Sequence, residues 1–261
     1  MKNAIVTKIL TPFLTGVFLF AQTSLDSGYK RVQDWDLLAS FTTYFDTGET
    51  GRSENIRIAS SLIDDVIIQA YGEFSFNQTV GQRTSEAGFK SAKIILDGQY
   101  VVGTGGGVCQ VSTTLYNAAL LSGLEVTEFH PHSLRIGYVQ PSRDAMVSTG
   151  SDLRFFNGYS HPVHLRALVK GGSVKIAFYG KNQGDRYEII SKILAEIPPP
   201  APIVKTGDKE EILRMEKAGV KSEAYLQRYR CGKLVSQKRI RRDEYRPVQV
   251  ILAKKIENPR E

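Results

Sequence analysis

The residues best suited to covalent chemistry lie in GTGGGVCQVSTTLYNAAL, residues 103–120, where three glycines precede one of the two cysteines. Apolar residues at Val111, Leu115 and Ala118 follow at helical spacing, so this pattern predicts a helix that begins near Cys109. A thiol at a helix N-terminus lies beside unpaired N–H groups and the positive end of the helix dipole. Both favour the thiolate, and the same N–H groups can hold an oxyanion, as a thiol acyl-transfer site requires.

The residues that flank the cysteine have expected roles in such a site. The glycines would let a substrate backbone approach the sulfur without meeting a Cβ atom, and the backbone around the helix start would bind the oxyanion. Alternatively, the cysteine is a small buried apolar residue and the glycine run is only a loop. The expected oxyanion residues are Gly107, Val108 and Gln110, and the expected substrate-binding residues here are Gly105, Gly106, Ser112 and Thr113, of which Ser112 and Thr113 are alternatively helix surface.

A thiol nucleophile needs a base, and the four histidines of the chain lie between residues 130 and 164. His130 and His132 alternate along a segment that the sequence predicts to be extended, so they face opposite ways and one of them is expected to reach the sulfur. Asp144 or Asp152 would orient that histidine. The two later histidines, His161 and His164, are predicted to be surface residues.

The net charge of +7 is concentrated near the C-terminus. Residues 1–202 carry 18 Lys and Arg against 18 Asp and Glu, whereas residues 203–261 carry 16 against 9. A basic tail of this kind favours an anionic wall polymer or a membrane surface as partner, and no nucleic acid is expected. The alternative is a solvated basic face that has no partner.

The N-terminus has the pattern of an export signal. Lys2 and Lys8 precede an apolar run, residues 9–21. This run is too short to span a bilayer and ends in a small residue. We therefore expect an exported protein of the cell wall or periplasm, with a retained membrane anchor as the alternative. In such a compartment Cys109 and Cys231 either form a disulfide or remain as a reactive thiol and a bystander. No zinc-type ligand spacing is present, and no cofactor is expected.

The sequence predicts an α+β fold with a mixed or antiparallel sheet, a helix carrying the cysteine at its N-terminus, and a small C-terminal β-rich module. A helix is expected over residues 55–70, a strand over SLRIGYVQ, residues 133–140, and a hairpin around Gly171-Gly172. The expected organisation is a signal peptide at 1–21, a mature N-terminal segment at 22–38, a main domain at 39–196, a Pro-rich linker at 197–202 and the basic module at 203–261.

Four segments together resemble the VanW-like domain family. They are FSFNQTVGQRT at 74–84, GTGGGVCQVSTTLYNAAL at 103–120, HPHSLRIGYVQPSRDAMV at 130–147 and SDLRFFN at 151–157, and the resemblance runs from about residue 39 to 181. Ser142 departs from the family pattern, which usually has glycine at this position.

The family takes its name from accessory genes of vancomycin resistance, and its members are linked to L,D-transpeptidation, the crosslinking of peptidoglycan stem peptides through a cysteine thioester. The resemblance implies a wall-modifying enzyme whose motif positions fall on Cys109 and His132. Asp144 is the expected orienting residue. Arg83 and Arg143 are candidates for binding substrate carboxylates or, as single arginines, structural residues, and His130 is a further candidate for substrate binding. The alternative function is a wall-binding accessory protein without chemistry, tethered by its basic tail.

Overall fold

The computed structural model describes residues 6–8, 35–96 and 98–255. Three helices form in these residues: α1 at Thr50–Ile63, α2 at Phe76–Val80 and α3 at Val108–Leu121. The strands of the N-terminal part are β1 Val6–Lys8, β2 Asp36–Tyr44, β3 Val66–Ile68, β4 Glu73–Ser75, β5 Ser91–Leu96, β6 Gln99–Thr104, β7 Glu125–Glu128, β8 Arg154–Phe156, β9 Val163–Lys170 and β10 Ser173–Gly180. The later strands are β11 Asp185–Ile197, β12 Ile203–Gly207, β13 Glu211–Arg214, β14 Gly219–Arg230, β15 Lys233–Tyr245 and β16 Ile251–Lys255.

The strands in the described part of the chain form five sheets, which are mostly antiparallel. The largest has the order β1-β3-β9-β10-β2, and smaller sheets have the orders β4-β8-β7 and β5-β6. The C-terminal residues form β11-β14-β15 and β12-β16-β13, in which β12 and β16 pair in parallel. The predicted α+β class is therefore confirmed, with sheet predominating over helix.

Helix α3 runs through the middle of the core. It packs against β2, β10, β11 and α1, and nearly all of its side chains are buried. Its apolar residues Val111 and Leu115 share one core with Ile56 of α1 and with Val174 and Phe178 of β10. This burial on several sides fixes the axis of α3 and hence the position of its N-terminus.

Two secondary-structure predictions are wrong. The helix expected over 55–70 ends at Ile63, because Asp64 is extended and Asp65 has a φ of 65°, after which the β-branched residues of β3 form a strand. The segment 133–140 forms no strand. Its carbonyls at Ser133 and Arg135 instead accept hydrogen bonds from the C-terminal part of the chain.

The predicted hairpin is present. Strands β9 and β10 pair around Gly171 and Gly172, which both have positive φ, and in a second hairpin β14 and β15 pair around Cys231 and Gly232. Strand β11, however, pairs with β14 along most of its length, so residues 185–197 share a sheet with the residues beyond the proline run. The C-terminal sheet thus begins before the predicted linker.

The predicted signal peptide and most of the predicted mature N-terminal segment lie outside the described residues, apart from residues 6–8, which pair with β3, and residues 35–38. Among the residues that the structure describes, no helix has the length and apolar character needed to cross a membrane.

Candidate active site

Cys109 is the second residue of α3, is half-buried and lines a cleft of about 940 Å³. The β5–β6 hairpin, through Lys93, Ile94 and Tyr100, lines the cleft, as do the segments 81–84 and 136–138. The sulfur lies 3.4 Å from the carbonyl oxygen of Val147. The thiol is therefore one of the groups that line the cleft and is not fully enclosed by protein.

His132 and Asp144 form a buried pair beside the thiol. His132 Nδ1 lies 2.7 Å from Asp144 Oδ2, and the backbone N–H of His132 donates to the same oxygen at 2.7 Å. Because Nδ1 faces the carboxylate, Nε2 is the nitrogen left for Cys109, whose thiol lies close enough to His132 for each group to shift the pKa of the other. The three residues therefore lie in the order thiol, imidazole, carboxylate, which is the order of an activated nucleophile.

The electrostatics of the site favour an ion pair between thiolate and imidazolium. Burial raises the pKa of the Cys109 thiol, but hydrogen bonding and charge interaction with His132 lower it by more, and the Arg83 guanidinium acts in the same direction. Burial lowers the pKa of His132, yet Asp144 and Cys109 outweigh this and raise it to about 9. The pKa of Asp144 is held below its usual value, since His132 and Arg241 overcome the cost of burial.

The glycines that precede Cys109 are required by packing. Gly105 and Gly107 have φ values of 85° and 105°, which only glycine adopts readily. A Cβ on Gly106 would lie 2.5 Å from the Lys93 carbonyl oxygen, and one on Gly107 would lie 3.0 Å from the Arg52 carbonyl oxygen. Packing therefore gives a second reason for bare backbone at these positions, because the glycines let the loop pass between β5 and α1.

The backbone donors at the helix start differ from those expected. The N–H of Val108 donates to Gly105 O at 3.1 Å, and that of Gln110 donates to Gly107 O at 2.9 Å. The N–H groups of two of the three expected oxyanion residues, Val108 and Gln110, are thus occupied. In the described hydrogen-bond network the N–H of Cys109 itself has no such turn or cap partner, as expected for the second position of a helix.

The side chains of Gln110, Ser112 and Thr113 hold the framework of the site. Gln110 donates to Thr43 Oγ1 and to the Tyr44 carbonyl oxygen and accepts from Arg52. Ser112 donates to the Ala145 carbonyl at 2.6 Å, and Thr113 accepts the Ala145 N–H at 3.0 Å. The last two therefore tie the segment beside Asp144 to α3, and both are buried, which excludes the alternative of helix surface.

The structure separates the candidate arginines. Arg83 lines the cleft and donates to Asn77 Oδ1 at 2.8 Å, and burial lowers its pKa. Arg143 is not among the residues that line the cleft. It donates to Asn117 at 2.8 Å and lies over the Phe41 ring at 4.9 Å, which corresponds to a structural role.

The remaining candidates lie away from the sulfur. His130 pairs with Glu128 at 2.9 Å and is not among the residues that line the cleft, so His132 is the histidine that faces Cys109. Asp152 accepts hydrogen bonds from Ser75 and from the start of α2, which excludes it as the partner of His132. The prediction that His164 is a surface residue is wrong: it is 2% exposed and lies 2.6 Å from Asp65 Oδ1.

Both cysteines are free in the structure, Cys109 half-buried and Cys231 exposed. Among the residues that the structure describes, no group of three or more His, Cys, Asp or Glu side chains is placed to hold a metal ion.

Residues 51–179, the part of the chain that builds this site, match the family model described as "VanW like protein". This part of the chain belongs to the VanW-like family. The VanW-like domain thus contains the thiol, the histidine and the carboxylate. The family assignment also supports the association with the vancomycin-resistance genes from which the family is named.

The VanW-like chain is similar to "Uncharacterized protein YoaR" of Bacillus subtilis (strain 168), with 40% identity over 176 residues. The alignment covers 67% of this chain and 56% of YoaR, so the chain spans little more than half the length of that relative. Among solved structures, one titled "Crystal structure of HP0197-G5" matches 27% of this chain and 93% of that chain at 17% identity. Its TM-score of 0.16 does not establish a shared fold.

Sequence reasoning missed three side chains around the VanW-like site. Tyr138 lines the cleft, and burial, together with the neighbouring Cys109, raises its pKa, so it remains a protonated hydrogen-bond donor. Arg241 and Tyr245 contact Asp144 from β15. Tyr138 lies inside one of the recognised segments, but the other two are 97 and 101 residues from Asp144 and give no local signal.

Proposed function

We propose that the protein is a peptidoglycan-modifying cysteine acyltransferase that crosslinks stem peptides through a thioester, as an L,D-transpeptidase does. One observation carries the proposal: a thiol and an imidazole line the same cleft, and a buried carboxylate bonds the imidazole on its other side. Membership of the VanW-like family supports it.

In the first half-reaction the Cys109 thiolate attacks the carbonyl of the stem's diamino acid, whose α-centre is L. The tetrahedral intermediate collapses to a thioester as the C–N bond to the terminal D-alanine breaks. His132, protonated at Nε2, gives its proton to the leaving amine. The raised pKa of His132 supports this role, because the imidazole carries the needed proton at neutral pH.

In the second half-reaction the side-chain amine of another stem attacks the thioester. Neutral His132 accepts the proton that this amine loses, an amide forms, and Cys109 leaves as thiolate. Water in place of the amine would give hydrolysis with the same residues. Asp144 remains ionised throughout and stabilises the imidazolium at Nδ1.

The oxyanion is best served by the N–H of Cys109, since the N–H groups of Val108 and Gln110 are already used. The Tyr138 hydroxyl is a second candidate donor, because it lines the same cleft. Arg83 and Lys93 supply positive charge along the cleft for the carboxylates of a stem peptide.

We further propose that the protein acts outside the cytoplasm and that its basic C-terminal part associates with an anionic wall polymer or membrane surface. Exposed cationic side chains along β15 support this proposal, among them Lys233, Lys238 and Arg242. Because β14 and β15 also contact the site, such an association would hold the cleft close to its polymeric substrate.

The decisive experiment is incubation of the purified protein with a stem tetrapeptide, followed by intact mass measurement. We expect a mass increase equal to the tripeptide acyl group, with release of D-alanine, and crosslinked product once an acceptor stem is added. Cys109→Ala should abolish both signals. Cys231→Ala is the matched control and should retain them, because Cys231 lies in an exposed turn.

The rival function is a wall-binding protein without chemistry. It predicts that tetrapeptide or glycan binds equally well to the wild type and to Cys109→Ala, with no covalent adduct in either. The adduct should therefore be sought at several pH values between 6 and 9, so that a slow reaction is distinguished from simple binding.

A further inference from the structure

The carboxylate of Asp144 is held from two sides by different parts of the chain. Its Oδ2 faces His132, as described above. Its Oδ1 accepts the hydroxyl hydrogen of Tyr245 at 2.5 Å and lies 3.3 Å from Arg241 Nη2. Tyr245 and Arg241 both belong to β15, outside the residues that match the family model.

Arg241 is buried and held in place on every side. Its side chain is 1% exposed, and its Nε donates to Asp243 at 2.7 Å. Its Nη1 donates to the backbone carbonyl of Asp144, and the guanidinium lies over the Phe129 ring at 4.7 Å. A buried guanidinium with this many partners is a rigid donor.

Tyr245 connects the carboxylate to the turn that precedes it. Its hydroxyl accepts the N–H of Ser142 at 2.7 Å while donating to Asp144, and it is 1% exposed. Ser142 has a φ of 59° and shares a hydrogen bond of 2.8 Å with Ser222 of β14. The position at which the family usually has glycine thus takes a glycine-like conformation, which contacts with the C-terminal sheet stabilise.

We propose that Arg241 and Tyr245 are positioning residues that fix the Asp144 carboxylate, so that Asp144 in turn orients His132 towards Cys109. A catalytic consequence of this positioning rests on the function proposed above, whereas the contacts themselves do not. A carboxylate held at one oxygen presents its other oxygen in a single direction, and the imidazole that bonds there is fixed likewise. Without the two donors, only the contacts of Oδ2 with His132 would hold the carboxylate.

The charged and titratable groups around this array come from several elements. His132, Arg83 and Tyr138 face Cys109, and the groups around Asp144 are His132, Arg241, Tyr245, Asp243 and Tyr116. Arg241 is the cation that balances Asp144 on the side away from His132. The ionic state of the pair therefore depends on both sides of the carboxylate.

The test is the pH profile of Cys109 alkylation by iodoacetamide in full-length Tyr245→Phe. This change removes one oxygen and leaves the ring. We expect the acid limb to move to higher pH by about one unit, which is about a tenfold loss of rate on that limb, because a poorly oriented imidazolium stabilises the thiolate less. Exposed Cys231, followed in the same digest by mass spectrometry, is the reference thiol.

Tyr225→Phe is the matched control. Tyr225 lies on β14 of the same sheet, and its hydroxyl donates to Glu223 at 2.6 Å, so the same oxygen is lost without touching Asp144. Its Cys109 profile should equal that of the wild type. Arg241→Lys, which keeps the charge but loses the planar fork, should move the limb in the same direction as Tyr245→Phe.

A folded Tyr245→Phe with the wild-type profile would overturn the inference, as would an equal shift in Tyr225→Phe. Cooperative thermal unfolding of each variant establishes that it is folded. If Arg241→Lys does not fold, the result for Tyr245→Phe decides the test. The readout needs no substrate. Failure of the tetrapeptide to acylate the wild type would therefore refute the proposed function while leaving a shifted profile as support for the positioning role.

Discussion

At the scale of single residues, the site depends on the ionic state of Cys109 and His132. The pKa of Cys109 is lowered and that of His132 is raised to about 9, so the imidazole is charged at neutral pH and the thiolate form of Cys109 is favoured. Thiolate and imidazolium are the forms that nucleophilic attack and proton donation to a leaving amine require.

This ion pair predicts a bell-shaped pH dependence of acylation. The acid limb should lie below the ordinary pKa of a cysteine, because the thiolate is lost only below its lowered pKa. The alkaline limb should lie near pH 9, because above it His132 is neutral and cannot protonate the leaving amine. The measurement is the rate of thioester formation with a tetrapeptide from pH 5 to pH 10.

The control for the acid limb is His132→Gln, examined by iodoacetamide alkylation of Cys109. Loss of the imidazolium leaves burial as the dominant effect on the thiol, so its pKa should rise above the ordinary value. A thiol that alkylates with wild-type pH dependence in this variant would contradict the ion pair.

The residues that carry chemistry were largely predictable from the sequence. The glycines before Cys109 identified it as the candidate nucleophile. The HPHS segment offered two histidines as candidate bases, and the family resemblance favoured His132. The structure brings Cys109, His132 and Asp144 together. Local sequence contains no sign of Arg241 or Tyr245, because a contact across about a hundred residues depends on how β15 folds back.

At the scale of elements, the start of α3 is set by close packing of a glycine loop between two neighbours. The hairpins and the two longer helices were visible as apolar periodicity and turn residues. The end of α1 and the irregular segment 133–140 were not, because Asp65 adopts a positive φ and the 133–140 carbonyls bond distant residues. Where α1 ends and whether residues 133–140 form a strand depend on tertiary contacts, which apolar periodicity does not encode.

The packing of this loop predicts that Gly106→Ala destabilises the protein by about 1–3 kcal/mol. The added Cβ would lie 2.5 Å from the Lys93 carbonyl and 2.9 Å from Ala92, and backbone atoms cannot move aside as a flexible side chain can. Urea denaturation measures the change. Gly150→Ala is the control, since a Cβ there meets nothing within 4 Å and stability should be nearly unchanged.

At the scale of the whole molecule, the C-terminal sheet and the VanW-like domain are connected by polar contacts. Ser191 of β11 donates to the Pro141 carbonyl at 2.6 Å, and the N–H of Arg246 donates to Ser133 at 2.9 Å. Together with the contacts of Arg241 and Tyr245, these bonds hold both sides of the segment between His130 and Val147.

We therefore expect the two parts to unfold in one transition. The single tryptophan, Trp35, packs against His164 and reports on the N-terminal part, whereas circular dichroism of the strands reports on the whole chain. Their urea curves should coincide for the wild type. A Trp35 transition well separated from the circular dichroism transition would show that the contacts with β15 do not couple the two parts.

The pairing of β11 with β14 also bears on how such a protein can be recombined. A cut at the proline run, residues 198–202, separates β11 from its partner strand β14. It also leaves the residues that bond Oδ1 of Asp144 on the discarded fragment. Engineers who wish to graft this thiol onto another anchoring module would have to transplant the ribbon of β14 and β15 with it. The C-terminal strands and Cys109 would therefore have to be transferred together.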